Sequence, residues 1–417
     1  MKKIIFTIIF TFYSLTFAKA QWIAQDSGSA MAPPLLNVKF INRNTGWVCG
    51  DNGIIRGTKD GGTNWVYQNS GVNNKSLYGL CPINANVIYC VGWFETILKS
   101  TNGGDNWIII KNGLFGGGHS FFGTYFINEN TGWVCGTGLI IFKTTNGGLS
   151  FDSTFMPIAH ARDIYFRNPL EGLVCGEGAG MCRTTDGGIN WTEVIMPIGT
   201  EAADFNNINF IDSVNGYTQG VGNNKLYKTT DFGISWDSVA RVPGADLSYC
   251  FYFPSLYTGY CGGSYGRLFK TTNGGYNWTQ QLVPRPGYKY RLYFINDTVG
   301  WCVGASGQIL FTETGGQNLV QILSNTEQIP DKFELHQNYP NPFNNQTTIE
   351  FAINKNAFYK IEIFDVLGRK ADILFEKYLA TGIYKYNYNT NGLSSGVYFY
   401  ILSSDKIKLT KTFLLIK

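Results

Sequence analysis

The sequence predicts an all-β chain, a seven-bladed β-propeller followed by a small antiparallel β-sandwich. Three observations predict it: a motif that returns every 40 to 45 residues, 50 glycines and 16% aromatics against 15% charged residues, and a C-terminal stretch where the period stops but alternating strands continue. Thr58 to Trp65 reads TKDGGTNW, and the pattern returns ending at Trp107, Phe151, Trp191, Trp236, Trp278 and, worn, at Leu319. The spacings are 42, 44, 40, 45, 42 and 41 residues. Such a period is that of a four-stranded propeller blade.

Each period holds a second motif, as in Thr45 to Gly50 (TGWVCG) and Thr131 to Gly136, preceded by an aromatic-apolar strand such as Val38 to Asn42 or Tyr125 to Asn128. The unit reads strand, turn, strand, glycine loop, strand, box turn, strand. In the box, Asp60, Asn102, Asn146, Asp186, Asp231 and Asn273 are suited to accept backbone N–H groups of their own turn, and the closing Trp or Phe to pack between sheets. Lying between third and fourth strands, away from the central channel, these side chains read as structural. Thr314 and Leu319 break the seventh box, whose turn should be the least rigid. Ring closure is also legible: Gln21 to Gly28 (QWIAQDSG) resembles Asn64 to Gly71 (NWVYQNSG), the outer strand after the first box. The N-terminal segment should therefore supply the outer strand of the seventh blade and remove an exposed edge.

Residues 1–20 carry Lys2 and Lys3, an apolar run from Ile4 to Phe17 and Ala18-Lys-Ala20, the pattern of a signal peptide. The expected divisions are a leader at 1–20, the propeller at 21–323, a polar linker at 324–332 and the last module at 333–417. No later run approaches the roughly 20 apolar residues of a spanning helix, so the mature chain is expected outside the cytoplasm with no transmembrane segment. A net charge of +4 spread along the chain gives no basic patch and argues against nucleic acid as partner. Of nine cysteines, Cys49, Cys135 and Cys175 recur at one repeat position, and most read as small buried thiols; Cys175 with Cys182 is a possible local pair.

The repeat motifs resemble the Asp-box, or bacterial neuraminidase repeat, superfamily, and GWVCG with KTTNGGxNW is most similar to propellers of the photosystem II assembly and stability factor type. That resemblance implies architecture over residues 21 to about 320. The C-terminal Phe333 to Asn344 (FELHQNYPNPFN), Ile361 to Arg369 (IEIFDVLGR), Leu393 to Tyr400 (LSSGVYFY) and Lys411 to Lys417 resemble a type IX secretion sorting domain, type A. This resemblance implies the type IX machinery as a partner and a secreted, extracellular or outer-membrane surface location.

Chemistry is harder to find. Sialidases resembling this superfamily use an Arg-Ile-Pro motif and an arginine triad, and neither is recognisable here. Glycosidases that pair carboxylates need two acids in one cleft. The candidates, Asp51, Glu95, Glu177, Glu201, Asp204 and Asp246, come from different blades, and their bland reading is solvated loop acids. Three histidines, with no His-Glu-x-x-His, Cys-x-x-Cys or Gly-x-Ser-x-Gly, point to no metal, cofactor or nucleophile site. Binding suits the same face better: Trp93, Tyr265 and Tyr290 offer flat platforms and Arg162 and Arg291 planar donors for a protein or polysaccharide. Lys99, Lys143, Arg183, Lys228 and Lys270, at one position of the third strands, read as a solvated stripe.

Overall fold

The computed structural model describes residues 22–25, 32–111, 118–200, 203–242, 248–316, 332–355, 357–379, 382–390, 392–404 and 407–416. The leader, most of the linker, Leu319, Glu201 and Asp246 lie outside the described residues. The chain divides into two units at residues 322 and 323.

Among the described residues, the first unit contains seven four-stranded antiparallel sheets, each formed by four strands in sequence order save one. The exception is the sheet of Lys289–Phe294, Gly300–Gly304 and Ile309–Thr312, whose outer strand is Ile23–Ala24, with Ile23 opposite Phe311 and Ala24 opposite Leu310. The innermost strands, Leu35–Phe40, Leu77–Pro82, Phe121–Phe126, Ala161–Phe166, Asp204–Phe210, Ser248–Tyr252 and Lys289–Phe294, neighbour one another in a closed circle. The N-terminal segment thus closes the ring, and its Trp22 is 0% exposed with its ring edge-on to Phe294 at 5.9 Å.

The blades interlock through an aromatic at the second position of six of the seven second strands, preceded by glycine in five of them. The aromatic ring stacks on the Phe that ends the next blade's innermost strand: Tyr89 on Phe126 at 3.6 Å, Trp133 on Phe166 at 3.5 Å, Tyr217 on Phe253 at 3.9 Å, Tyr260 on Phe294 at 3.9 Å and Trp301 on Phe40 at 3.5 Å. Such pairs add about 0.5–1.5 kcal/mol each beyond the area they bury. The preceding glycine is required because a Cβ at Gly46 would stand 2.4 Å from the Phe40 ring. The polar end of the aromatic is used as well. Trp47, Tyr89, Trp133, Tyr260 and Trp301 donate to the carbonyls of Gly103, Gly147, Gly187, Gly315 and Gly61 in the box of the next blade, at 3.0–3.3 Å.

The box turns explain their own sequence. The Oδ1 atoms of Asp60, Asn102, Asn146, Asp186, Asp231 and Asn273 each accept the N–H four residues on at 2.9–3.0 Å. The amide of the residue that follows the box Asp, Asn or Thr is tied in too: Gly61, Gly103, Gly147, Gly187, Phe232, Gly274 and Gly315 donate to a carbonyl in their own blade's first turn at 2.7–2.9 Å. The carboxylates titrate low as a result. The Asn190 amide holds Asp186 at about 2, and the Asn64 amide lowers Asp60.

Two expectations are corrected. The third-strand cations are not a solvated stripe but half-buried between blades. Lys99 and Lys143 donate to the carbonyls of Gly147 and Gly187 at 3.0 and 2.9 Å, Lys228 and Lys270 lie over the rings of Tyr217 and Tyr260, and Arg183 pairs with Glu171. Cys175 and Cys182 do not pair: Cys182 stands opposite Val174, so the two thiols face opposite sides of their sheet and enter different cores. All nine cysteines are free, and eight are buried.

The second unit stacks two antiparallel sheets. One holds Glu334–Leu335, Gln346–Ile353 and Gly382–Asn389; the other holds Lys370–Leu379, Ala357–Asp365, Gly396–Ser404 and Ile407–Leu415. The residues pointing inward from both, including Ile349, Phe351, Ile361, Ile363, Tyr400 and Phe413, form one core. Asn338 of the Tyr-Pro-Asn-Pro motif is buried as a polar hub, donating to Thr347 and Pro340 while its N–H donates to the Tyr400 hydroxyl.

Candidate functional site

The innermost strands surround a central cavity of about 240 Å³ lined by residues from all seven of them. A bulge near the start of these strands, as between Leu35 and Asn37, Phe205 and Ile208 or Lys289 and Arg291, turns successive side chains onto the channel in layers. The mouth layer carries Tyr78, Phe122, Arg162 and Tyr290. Tyr78 meets Phe122 at 5.2 Å, the Arg162 guanidinium lies over Phe122 at 4.4 Å, and Tyr290 stacks with Tyr288 at 6.3 Å.

One layer down, Asn37, Asp163 and Arg291 share a register with Gly79 and Gly123. Asp163 Oδ1 accepts the Ile164 N–H at 3.0 Å; its Oδ2 accepts the Ile208 N–H at 3.2 Å and pairs with Arg291 Nη2 at 3.4 Å. The next layer holds Lys39, Tyr125, Tyr165, Asn209, Tyr252 and Tyr293. Burial raises the pKa of all four phenols and keeps them neutral. Burial, and then the like charge of Arg291, lowers that of Lys39, against the pull of Asp163.

The sequence-predicted residues fall in three places. Trp93, 41% exposed, and Tyr265, 72% exposed with φ of +58°, stand on loops between second and third strands. Trp93 packs on Phe94 at 4.8 Å, and Arg267 reaches over Tyr265 at 5.9 Å. Arg162 and Tyr290 are the second residues of their innermost strands and mark the channel mouth. Arg291 belongs inside the channel, which corrects its placement on the face: the bulge turns it inward to Asp163.

Among the loop acids, Glu177 is ion-paired with Arg162, and Asp204 accepts the Gly178 N–H at 2.9 Å, so two acids that the sequence left apart meet around one loop. Glu95 is buried, not solvated, its N–H donating to the His119 carbonyl. Asp51 opens a short turn whose N–H donates to Pro34. Lys39 and Asn37 escaped the sequence reading. The signal was present in the alternation of Leu35 to Phe40, where every second side chain of an innermost strand must face the channel. No group of three metal-ligating side chains converges, and no helix is long and apolar enough to cross a membrane, among the described residues.

Two family models match the sequence: the photosynthesis system II assembly factor YCF48 over residues 16–118 and the secretion system C-terminal sorting domain over residues 337–417. No curated protein sequence matches the chain. Among solved structures, YCF48 bound to a D1 peptide aligns with a TM-score of 0.60 at 19% identity, over 70% of this chain and 97% of that one. YCF48 from Cyanidioschyzon merolae aligns at 0.59 and 17%, over 70% and 99%. A GH74 xyloglucanase from Xanthomonas campestris aligns at 0.55 and 11%, over 80% of this chain and 59% of that one. These likenesses establish the fold, and the C-terminal match marks the chain for export. The chain joins a β-propeller similar in fold to the photosynthesis system II assembly factor YCF48, whose family model matches residues 16–118, to a secretion-system C-terminal sorting domain.

Proposed function

We propose that this chain is a secreted or surface-displayed, non-enzymatic propeller that binds a protein or polysaccharide partner on the face bearing Trp93, Arg162, Tyr265 and Tyr290, with Arg291 beneath. In this reading residues 1–20 are a cleaved leader, 21–323 the propeller, 324–332 a linker and 333–417 the module read by the type IX secretion machinery; the division of the fold at residues 322 and 323 supports it. The observation that supports the binding function is the exposure of Trp93 and Tyr265 on loops between second and third strands, together with an Arg162 already oriented by Glu177 and Phe122 at the channel mouth. Such a surface loses little conformational freedom on docking. A propeller of similar fold has been captured with a peptide, which supports a peptide-binding use of this architecture. Screening the purified protein against a glycan array and against surface proteins of its own cells should yield a saturable partner. Trp93→Ala with Tyr290→Ala should weaken that partner at least tenfold with an unchanged melting temperature, and unchanged affinity would reject the face.

A second reading rests on the meeting of Glu177 and Asp204. A polysaccharide hydrolase or lyase would use them as its acid pair. Release of reducing ends from a polysaccharide panel, lost on Glu177→Gln or Asp204→Asn, would establish it in place of the first.

A further inference from the structure

The central channel carries a charge imbalance that the fold itself does not resolve. Three charged side chains face its two inner layers, the cations Lys39 and Arg291 and the carboxylate Asp163. Asp163 is already committed to two backbone N–H groups and to Arg291. Among the described residues no carboxylate lies within ion-pair reach of Lys39, whose ammonium lies over the Tyr293 ring at 5.3 Å and feels Asp163 only beyond that reach. An ammonium without a direct ion-pair partner in a narrow, protein-lined space, where the one carboxylate is already paired with Arg291, is costly to the fold. It is retained where something else supplies the anion.

A second, independent observation comes from Asn37. This residue is 4% exposed and lines the same cavity; its Nδ2 donates to the Tyr78 carbonyl at 2.7 Å, and its Oδ1 accepts nothing. A buried acceptor left open costs about 1–3 kcal/mol. Whatever fills the channel must therefore bring a hydrogen-bond donor as well as a negative charge. The cavity of about 240 Å³ has room for several waters, and its wall includes the phenol rings of Tyr125, Tyr165, Tyr252 and Tyr293. That combination excludes a bare halide and favours a compact molecule with hydroxyls.

We infer that the central channel is a binding site for a small hydroxylated monocarboxylate of sugar-acid size, its carboxylate held between Arg291 and Lys39 and a hydroxyl donated to Asn37 Oδ1. Apart from Arg291, which lies beneath that face, the site shares no residue with the partner-binding face. Its occupant is a small molecule in the bore of the ring, and it stands whether or not Trp93 and Tyr290 engage a partner.

The test uses the purified full-length protein and glucuronate, galacturonate and gluconate as probes, with glucose and sodium chloride as controls, read by calorimetry and thermal shift. At least one of the three acids should bind saturably while glucose and chloride do not. Arg291→Gln and Lys39→Met should each weaken that binding at least tenfold. Because either variant could perturb folding, the unliganded melting temperature is the second readout: Lys39→Met should raise it, since it removes an unpaired buried charge that a structural lysine would need. Absence of saturable binding by all three acids, equal response to chloride, or binding that survives both substitutions would overturn the inference, as would a Lys39→Met protein that melts lower than the parent.

Discussion

Asp186 shows what one side chain does in this repeat. Its Oδ1 accepts the Ile189 and Asn190 amides, and its Oδ2 the Asn190 side chain. Replacement by Ala should cost about 1 kcal/mol, as for loss of a capping carboxylate, read by urea unfolding. Asp186→Asn should be near neutral at pH 7, because Asn102, Asn146 and Asn273 already do the same work in their own turns. Acid separates the two. The Asp186 pKa is held at about 2, below its usual 3.8, so its contribution is complete above the usual value and is lost as pH falls toward and through 2. The melting temperature of the wild type should therefore drop more steeply than that of Asp186→Asn between pH 4 and 2, and parallel curves would show that the turn does not distinguish charge.

At the scale of the element, the interface between the fourth and fifth sheets is the informative exception. Its second strand offers Leu173 where other blades offer Trp or Tyr, and the next box has Phe232 where the others have glycine. Phe232 adopts φ of +57° and is fully buried, packing on Phe210 at 5.0 Å beneath the Arg167 guanidinium at 4.1 Å. The aromatic missing from one blade is returned by its neighbour's box. Phe232→Gly should cost about 3–5 kcal/mol as a large-to-small core change, Leu173→Trp alone should clash, and the pair together should recover 1–3 kcal/mol in a double-mutant cycle at about the size usual for touching residues. Additive costs would mean that the two positions are independent. Blade period and box turns were legible because each is a local pattern that recurs along the chain, and ring closure because residues 21–28 resemble the outer strand at 64–71. The channel was less so: Lys39 and Asp163 sit in strands whose sequence shows which face they share but not which charges meet across the bore, and the bulge that turns Arg291 inward leaves no mark in the sequence. The interblade role of Lys99 and Lys143 was missed for the same reason, since a charge at a regular position looks solvated until the neighbouring blade is placed beside it.

For the whole molecule, the N-terminal segment fastens the ring through the pairing of Ile23 and Ala24 with Phe311 and Leu310, the Gln25 N–H donated to Ile309, the Gln25 side chain donated to Gly61 and the buried Trp22 indole. Trp22→Ala should cost about 3–5 kcal/mol, the range for a large buried aromatic, measured by chemical denaturation. Loss of under 1 kcal/mol would show that closure is carried elsewhere. The pairing of Ile23 with Phe311 joins positions about 290 residues apart, and closing so long a loop costs roughly 5 kcal/mol in chain entropy. Every other junction between blades is backed by continuous backbone. The molecule therefore has a seam: it is the last junction to form once the chain is complete and the first to part under heat, force or proteolysis, and any trimming of the N-terminus that passes Trp22 leaves a ring that cannot be fastened.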